Sequence, residues 1–209
     1  YQAYKKSLDI LNLFILFCLK VLGTSFEFKA PKNIPRNIPI IIVSNHQSLW
    51  DIPPIIWFLR KLHPKFVSKF ELGKGIPSVS YNLRHGGSIL IKRKNAKQAL
   101  SEMIKFSEYL SKNNRSGVIF PEGTRSRTGD AKRFQRKGLE LLLKNLPEAL
   151  VLPLTINNSW KLQRYGMFPM PLGVKIKYTL HPLIKVSDFE INDLIDKIEL
   201  QIKSNILPK

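Results

Sequence analysis

Cysteine is almost missing from this chain: of 209 residues only Cys18 is one. No internal disulfide framework can therefore hold the fold, and the usage suits a reducing compartment. Set among apolar neighbours, Cys18 reads as a packed side chain rather than a reactive thiol. Acidic residues are scarce too. Lys and Arg number 34 against 15 Asp and Glu, a formal net charge of +19. Such a balance points to an anionic partner: an acidic substrate, an anionic bilayer surface or a nucleic acid. A solvated basic surface without a partner accounts for it equally well. No zinc-type Cys/His spacing, ribonucleoprotein aromatic motif or basic heptad region is present, and the basic residues are scattered, so no nucleic acid partner is expected. Internal repeats and low-complexity tracts are absent as well, and the length is that of one domain with a full core.

No apolar run is clearly long enough to span a bilayer. The longest, Leu8 to Leu22, makes a helix of about 22 Å at 1.5 Å per residue, against a hydrocarbon core of roughly 30 Å. At helical spacing Asp9, Asn12 and Lys20 fall on one narrow side and leave a wide apolar face. That pattern suits a helix lying in a membrane interface, with Lys5, Lys6, Lys20 and Lys29 reaching anionic head groups. A soluble core helix is one alternative. A secretory signal is another, but no convincing small-residue cleavage site follows. The chain begins at Tyr1 rather than Met, which leaves open what precedes it.

After a proline-rich connector over 30–39, short apolar runs alternate with helical patterns. Strands are predicted at 40–43, 65–69, 87–91, 117–120, 151–156 and 174–179, the last as a half-exposed edge. Helices are predicted at 53–61, 96–110, 138–144 and 191–202, and 71–85 reads as loop with short helical pieces. The unit closing at 117–120 should be parallel and right-handed. The fold class is α/β: a single-domain mixed, largely parallel β-sheet flanked by helices, with an N-terminal amphipathic membrane-interface helix.

Chemistry concentrates just past two strand ends, where α/β proteins place it. After Ile40-Ile41-Ile42-Val43 come His46 and, five residues on, Asp51. A histidine there can act as a base near neutral pH, and a carboxylate on its far nitrogen can fix the tautomer and stabilise imidazolium. The pair reads equally as a loop histidine and a helix-capping aspartate. After Gly117-Val118-Ile119-Phe120 comes Pro121-Glu122-Gly123-Thr124-Arg125, readable as an ordinary turn with a structural ion pair. Arg93 follows Ile89 and Ile91 on one side of a strand, placed to grip a phosphate bidentately, or to be one more surface charge between Lys92 and Lys94. His63, His85 and His181 lack such context and read as structural or exposed.

Taken together, Asn45-His46 with Asp51, Gly87-Ser88-Ile89-Leu90-Ile91-Lys92-Arg93, Pro121-Glu122-Gly123-Thr124-Arg125 and Val151-Leu152-Pro153-Leu154 resemble the glycerolipid acyltransferase superfamily. Within it they look most like the bacterial 1-acylglycerol-3-phosphate O-acyltransferases. The four blocks span roughly residues 43 to 155, in the family's order. Leu90 stands where the family often has an aromatic and Lys92 where many members have an acidic residue, departures that blur the acceptor but not the chemistry.

The resemblance implies transfer of a fatty acyl group from acyl-CoA or acyl carrier protein to the 2-hydroxyl of lysophosphatidic acid, giving phosphatidic acid. His46 and Asp51 are then catalytic, and no covalent acyl-enzyme forms, in keeping with the lack of a Gly-x-Ser-x-Gly elbow. Arg93, Glu122, Gly123, Thr124, Arg125 and Lys69 are the implied substrate-binding residues, with Lys137 and Pro153 weaker candidates. Arg125 is expected to bind phosphate or pair with Glu122, and Glu122 to be ionised in so basic a pocket. No metal and no cofactor beyond the thioester co-substrate are implied. Residues 1–29 become a membrane-associated helical segment and 30–209 the acyltransferase domain, peripheral or monotopic at the cytoplasmic face of the cell membrane. Two other readings stay open: acylation of another lyso-lipid, such as a lyso-ornithine or lyso-glycine lipid, and a non-catalytic membrane-surface binding protein.

Overall fold

Runs of β-branched residues make the centre of the molecule. In the computed structural model, which describes residues 2–75 and 77–208 and so excludes Tyr1, Ile76 and Lys209, strand β2 (Ile40–Ser44) is buried along its whole length. It lies between β5 (Ser116–Ile119) and β6 (Leu150–Asn157), parallel to both. Beyond β5 come β3 (Lys65–Lys69) and β4 (Ile89–Ile91), again parallel. On the other side β7 (Lys175–Leu180) runs antiparallel to β6, and β8 (Ile184–Lys185) pairs β6 in the same sense. Among the described residues the sheet has eight strands, and the order along its main path is β1-β7-β6-β2-β5-β3-β4.

Two expectations need correcting. Strand β7 is not an edge, because β1 (Ser25–Lys29) pairs with it in parallel on its outer side. Residues 25–29, expected within a helical segment, form this strand instead: Ser25-Phe26-Glu27-Phe28-Lys29 alternates polar and apolar side chains over only five residues, the phenylalanines half-buried and the others exposed, and its charged side chains suit an edge. Strands β4 and β5 are parallel as expected but not neighbours, since β3 lies between them.

Helices cover both faces. One face packs Ile41, Val43 and Val151 against α4 (Ala96–Asn113), α5 (Arg136–Lys144) and α6 (Ile191–Ser204), with Phe106, Leu110, Leu142 and Ile198 buried among them. The other packs Ile40, Ile42 and Leu152 against Leu19 of α1 (Gln2–Val21) and Ile55 of α2 (Ile52–Phe58). Pro53 and Pro54 start α2, where a missing N–H costs nothing. Asn95 caps α4 through the Gln98 N–H. The stretch 71–85 is more regular than expected: its second half is α3 (Pro77–His85).

Helix α1 is longer than the apolar run that announced it, and it packs its polar side, not its apolar face, against the rest of the fold. Asn12 faces inward, 4% exposed, and donates to the Leu8 carbonyl; Asp9 pairs with Lys5. The outward face carries Ile10, Leu13, Phe14, Phe17 and Val21. Cys18 lies on that face and is exposed rather than packed. No helix among the described residues is long and apolar enough to cross a membrane.

A side-chain clamp holds the β2 loop to β6. The Asn45 side chain donates to the Ile156 carbonyl and accepts from the Ile156 N–H, each at 2.8 Å. Asn45→Ala leaves both buried backbone groups without that partner, and at about 1–3 kcal/mol for each unsatisfied group it is expected to lower the unfolding free energy by about 2–4 kcal/mol. Urea unfolding of the two proteins measures this.

Candidate active site

Because β2, β3, β4, β5 and β6 run in one direction, their C-terminal ends share one rim, and the loops that follow them meet there. The β2 loop supplies His46 and Asp51. Ser48 caps a 3-10 turn over Leu49–Asp51, its hydroxyl accepting from the Trp50 N–H at 3.1 Å. That turn brings Asp51 back under the loop, where Oδ2 accepts from the backbone N–H of Gln47 at 2.7 Å and of Ser48 at 3.0 Å. The same oxygen meets His46 Nδ1 at 2.8 Å. The Asp51 side chain does not cap the helix that follows, α2; it closes the capping box of the 3-10 turn and partners the histidine.

Asp51 is fully buried. Its Oδ1 accepts the hydroxyl of Ser159, which follows β6. Four donors around one carboxylate hold its charge and its orientation. The His46 ring stacks on Phe120 at 4.2 Å between centroids, the planes 21° apart. With Nδ1 engaged by Asp51, Nε2 is the nitrogen that can accept a proton from a ligand.

Glu122 sits beside this pair but is not ion-paired with Arg125. Its two oxygens accept from backbone N–H groups, Oε2 from His46 at 3.4 Å and Oε1 from Lys132 at 3.3 Å. Arg125 instead donates to Gln163 Oε1 at 3.3 Å, an oxygen that also accepts the Leu49 N–H at 3.0 Å. The expectation of an ionised Glu122 is corrected as well. Burial pushes its pKa up to about 7, against smaller opposing effects of the two N–H bonds and the Lys132 charge. Surface lysines do not compensate for lost hydration at a carboxyl 5% exposed.

An acid with a raised folded pKa favours folding most below its unfolded value and loses that contribution as pH rises through the folded one. Stability is therefore expected to fall from about pH 4.5 to about pH 7 through this group, by up to about 3 kcal/mol at 1.36 kcal/mol per unit. Glu122→Gln should flatten that part of the curve, as denaturant unfolding across the range will read.

Arg93 lies two residues beyond β4, in the turn before α4, rather than closing the strand as expected. Its guanidinium nevertheless reaches across to the Gly123 carbonyl, so it shares the rim with Glu122. Gly123 takes a positive φ of 72°, the conformation that turns its carbonyl to Arg93 and that glycine adopts without strain. Lys69 is exposed at the end of β3, in register with Ile91. Thr124 is exposed, and its hydroxyl accepts from Lys132 Nζ at 3.1 Å. The rim thus gathers His46, Asp51, Arg93, Glu122, Gly123, Thr124 and Arg125.

The sequence reading missed Ser159, Gln47, Gln163 and Lys132 as supports. Gln47 spans the loops, its Oε1 accepting the Ser159 N–H at 3.1 Å and its Nε2 donating to the Gly129 carbonyl at 3.3 Å. The one signal for Ser159 was its position, two residues after an apolar strand. The other histidines stay outside: His181 Nε2 meets Thr155 Oγ1 at 2.8 Å in the interior, and burial with Arg115 and Lys5 nearby pushes His63 down to about 4.

The chain is similar to known proteins along most of its length. The family model described as Acyltransferase matches residues 25–157. A 1-acyl-sn-glycerol-3-phosphate acyltransferase of Borreliella burgdorferi is 29% identical over 192 residues, 88% of this chain and 74% of that protein. One of Helicobacter pylori is 37% identical over 60% of this chain and 54% of its own length. Another, of Pseudomonas aeruginosa, is 32% identical over 77% of this chain and 61% of its own, so the chain spans little more than half the length of some relatives. The crystal structure of the 1-acyl-sn-glycerophosphate (LPA) acyltransferase PlsC from Thermotoga maritima superposes with a TM-score of 0.76 at 27% identity, over 97% of this chain and 78% of that one. The match covers the strands and loops that build the rim, and on it this chain belongs to the acyltransferase family.

Proposed function

We propose that this protein transfers a fatty acyl group from a thioester donor, acyl-CoA or acyl carrier protein, to the 2-hydroxyl of lysophosphatidic acid. The observation that carries the reading is the contact of His46 Nδ1 with a buried, fourfold-bonded Asp51 on the rim shared with Arg93. An alcohol has a very high pKa, so its proton must leave as its oxygen attacks. His46 Nε2 takes that proton while the oxygen bonds to the thioester carbonyl carbon. The carbon–sulfur bond then breaks, and the sulfur leaves with the proton returned by imidazolium. The charge of Asp51 stabilises the imidazolium in between, and no acyl-enzyme intervenes. No metal or further cofactor enters this scheme.

Arg93 is assigned to the acceptor's phosphate, beside Gly123, with Arg125 and Lys69 adding positive field and Thr124 lining the turn. Glu122 holds the main chain of His46 and of Lys132 and so sets the distance between the two loops. The outward apolar face of α1 and the net charge of +19 support work at an anionic membrane surface, peripheral or monotopic at its cytoplasmic face. An acceptor then keeps its chain in the bilayer, which matters because extraction costs about 0.8 kcal/mol per CH₂.

The test is an assay of purified protein against several lyso-lipids, each with both donors. Arg93→Ala is expected to raise KM for lysophosphatidic acid at least about tenfold, the scale of a lost charge-assisted hydrogen bond, with little change for a zwitterionic lyso-lipid. Equal losses on both acceptors would assign Arg93 elsewhere and favour acylation of another lyso-lipid.

A further inference from the structure

Ten consecutive residues, Tyr165 to Val174, carry no charge. They connect β6 to β7 on the catalytic rim. The ends of the connection are seated, with Leu162 and Val174 buried. Its tip is not: Phe168 is 79% exposed and Leu172 75%, with Tyr165 and Met167 also exposed. So much aromatic and aliphatic surface on one short loop marks a contact site rather than ordinary surface.

Two attachments fix where the tip points. The Gly173 N–H donates to the Leu22 carbonyl at 3.0 Å, joining the loop to the end of α1, next to the exposed Val21. At its other end the Gly166 N–H donates to the Gln163 carbonyl at 3.1 Å, and Gln163 holds Leu49 and Arg125 of the site loops. Cations stand at the base and not at the tip. Arg164 lies over the Tyr165 ring at 5.7 Å, and Lys161 over the Trp160 ring at 5.8 Å; Lys20 and Lys175 are exposed nearby in sequence to the two attachment points. An apolar tip above a collar of amphipathic rings and cations matches the depth profile of an anionic bilayer, acyl chains inside and phosphates outside. An acidic protein would answer the collar and leave Phe168 and Leu172 unanswered.

We propose that the 165–172 loop is a second bilayer contact, inserting Phe168 and Leu172 beside α1. This rests on the reading of α1 as an interfacial helix. The apolar face of α1 sets the rotation of that helix about its own axis, and a second contact joined to the end of α1 holds the tilt of the rest of the molecule. The loop therefore sets the orientation in which the His46 side of the rim faces the interface, where a lyso-lipid's hydroxyl arrives.

The single, exposed cysteine makes the two contacts separately readable. An environment-sensitive fluorophore on Cys18 reports α1; the same label on Cys18→Ser/Phe168→Cys reports the loop, and on Cys18→Ser/Lys112→Cys the far face of the sheet. Vesicles of equal phosphatidylglycerol and phosphatidylcholine, with and without spin-labelled acyl chains, are the probe. Labels at 18 and 168 are expected to shift to the blue and to be quenched at least twofold by the spin-labelled chains, with 112 unaffected. Quenching at 18 without 168 overturns the loop proposal and leaves α1 standing, whereas quenching at neither site overturns both. Separately, Phe168→Ser/Leu172→Ser is expected to lower vesicle partitioning at least tenfold while turnover of a short-chain, water-soluble acceptor is unchanged. Unchanged partitioning refutes the insertion.

Discussion

Replacing His46 by alanine is expected to lower turnover at least about a hundredfold, the smaller end of a general base's contribution, while the protein stays folded. The main chain at this position keeps its bonds: the N–H still donates to Glu122 and the carbonyl still accepts from Ser126. Asp51 loses one of four donors but retains the Gln47 and Ser48 amides and the Ser159 hydroxyl, so its buried charge is not stranded. What disappears is the ring on Phe120 with its free Nε2. The loss should fall on kcat, since phosphate binding is assigned to Arg93 on a different loop. Steady-state kinetics beside circular dichroism read both halves. A variant that keeps full turnover would take the general base away from His46, whereas an unsubstituted protein with no turnover on any acceptor would leave a non-catalytic membrane-surface protein as the better account.

Asp51→Asn separates charge from geometry. Two backbone N–H groups and the His46 ring converge on Oδ2, so an asparagine must put its carbonyl oxygen there. Its amide nitrogen then lies toward Ser159, whose hydroxyl can turn to accept. Orientation of the imidazole survives and the negative charge does not. Turnover is expected to drop on the order of a hundredfold, within the range of acid–base contributions, with only a small change in unfolding midpoint. Asp51→Ala should differ. It leaves the Gln47 and Ser48 amides without their acceptor in the interior, at about 1–3 kcal/mol each. If Asn were as unstable as Ala, the carboxylate would serve structure first; if Asn kept full turnover, its charge would have no part in the step.

What was readable from residue types alone lay within short reach along the chain. His46 and Asp51 are five apart, and a capped turn starting at Ser48 suffices to bring them together. The parallel core was readable because strand ends and helix starts recur, and parallel strands put every following loop on one rim. That placed Arg93 and Glu122 on the same side as His46 before any coordinates, although Arg93 sits in a turn and not on the strand.

Contacts that depend on which faces meet were not readable. Helical spacing correctly grouped Asp9, Asn12 and Lys20 on one side of α1, yet could not say whether that side met water or protein. The fold turned Asn12 inward and left Phe14, Phe17 and Cys18 outside. Counting charges made Glu122 look ionised, but its pKa depends on local hydration, and the β2 and β5 loops close over it. Ser159 lies 108 residues from Asp51, and no local pattern links them. Periodicity and short-range hydrogen bonding thus determined most of the strands, the parallel core and the contact of His46 with Asp51. Burial, and with it the protonation of Glu122, the outward side of α1 and the Ser159 contact, was decided only when distant segments packed, because desolvation belongs to a place in space and not to a position along the chain.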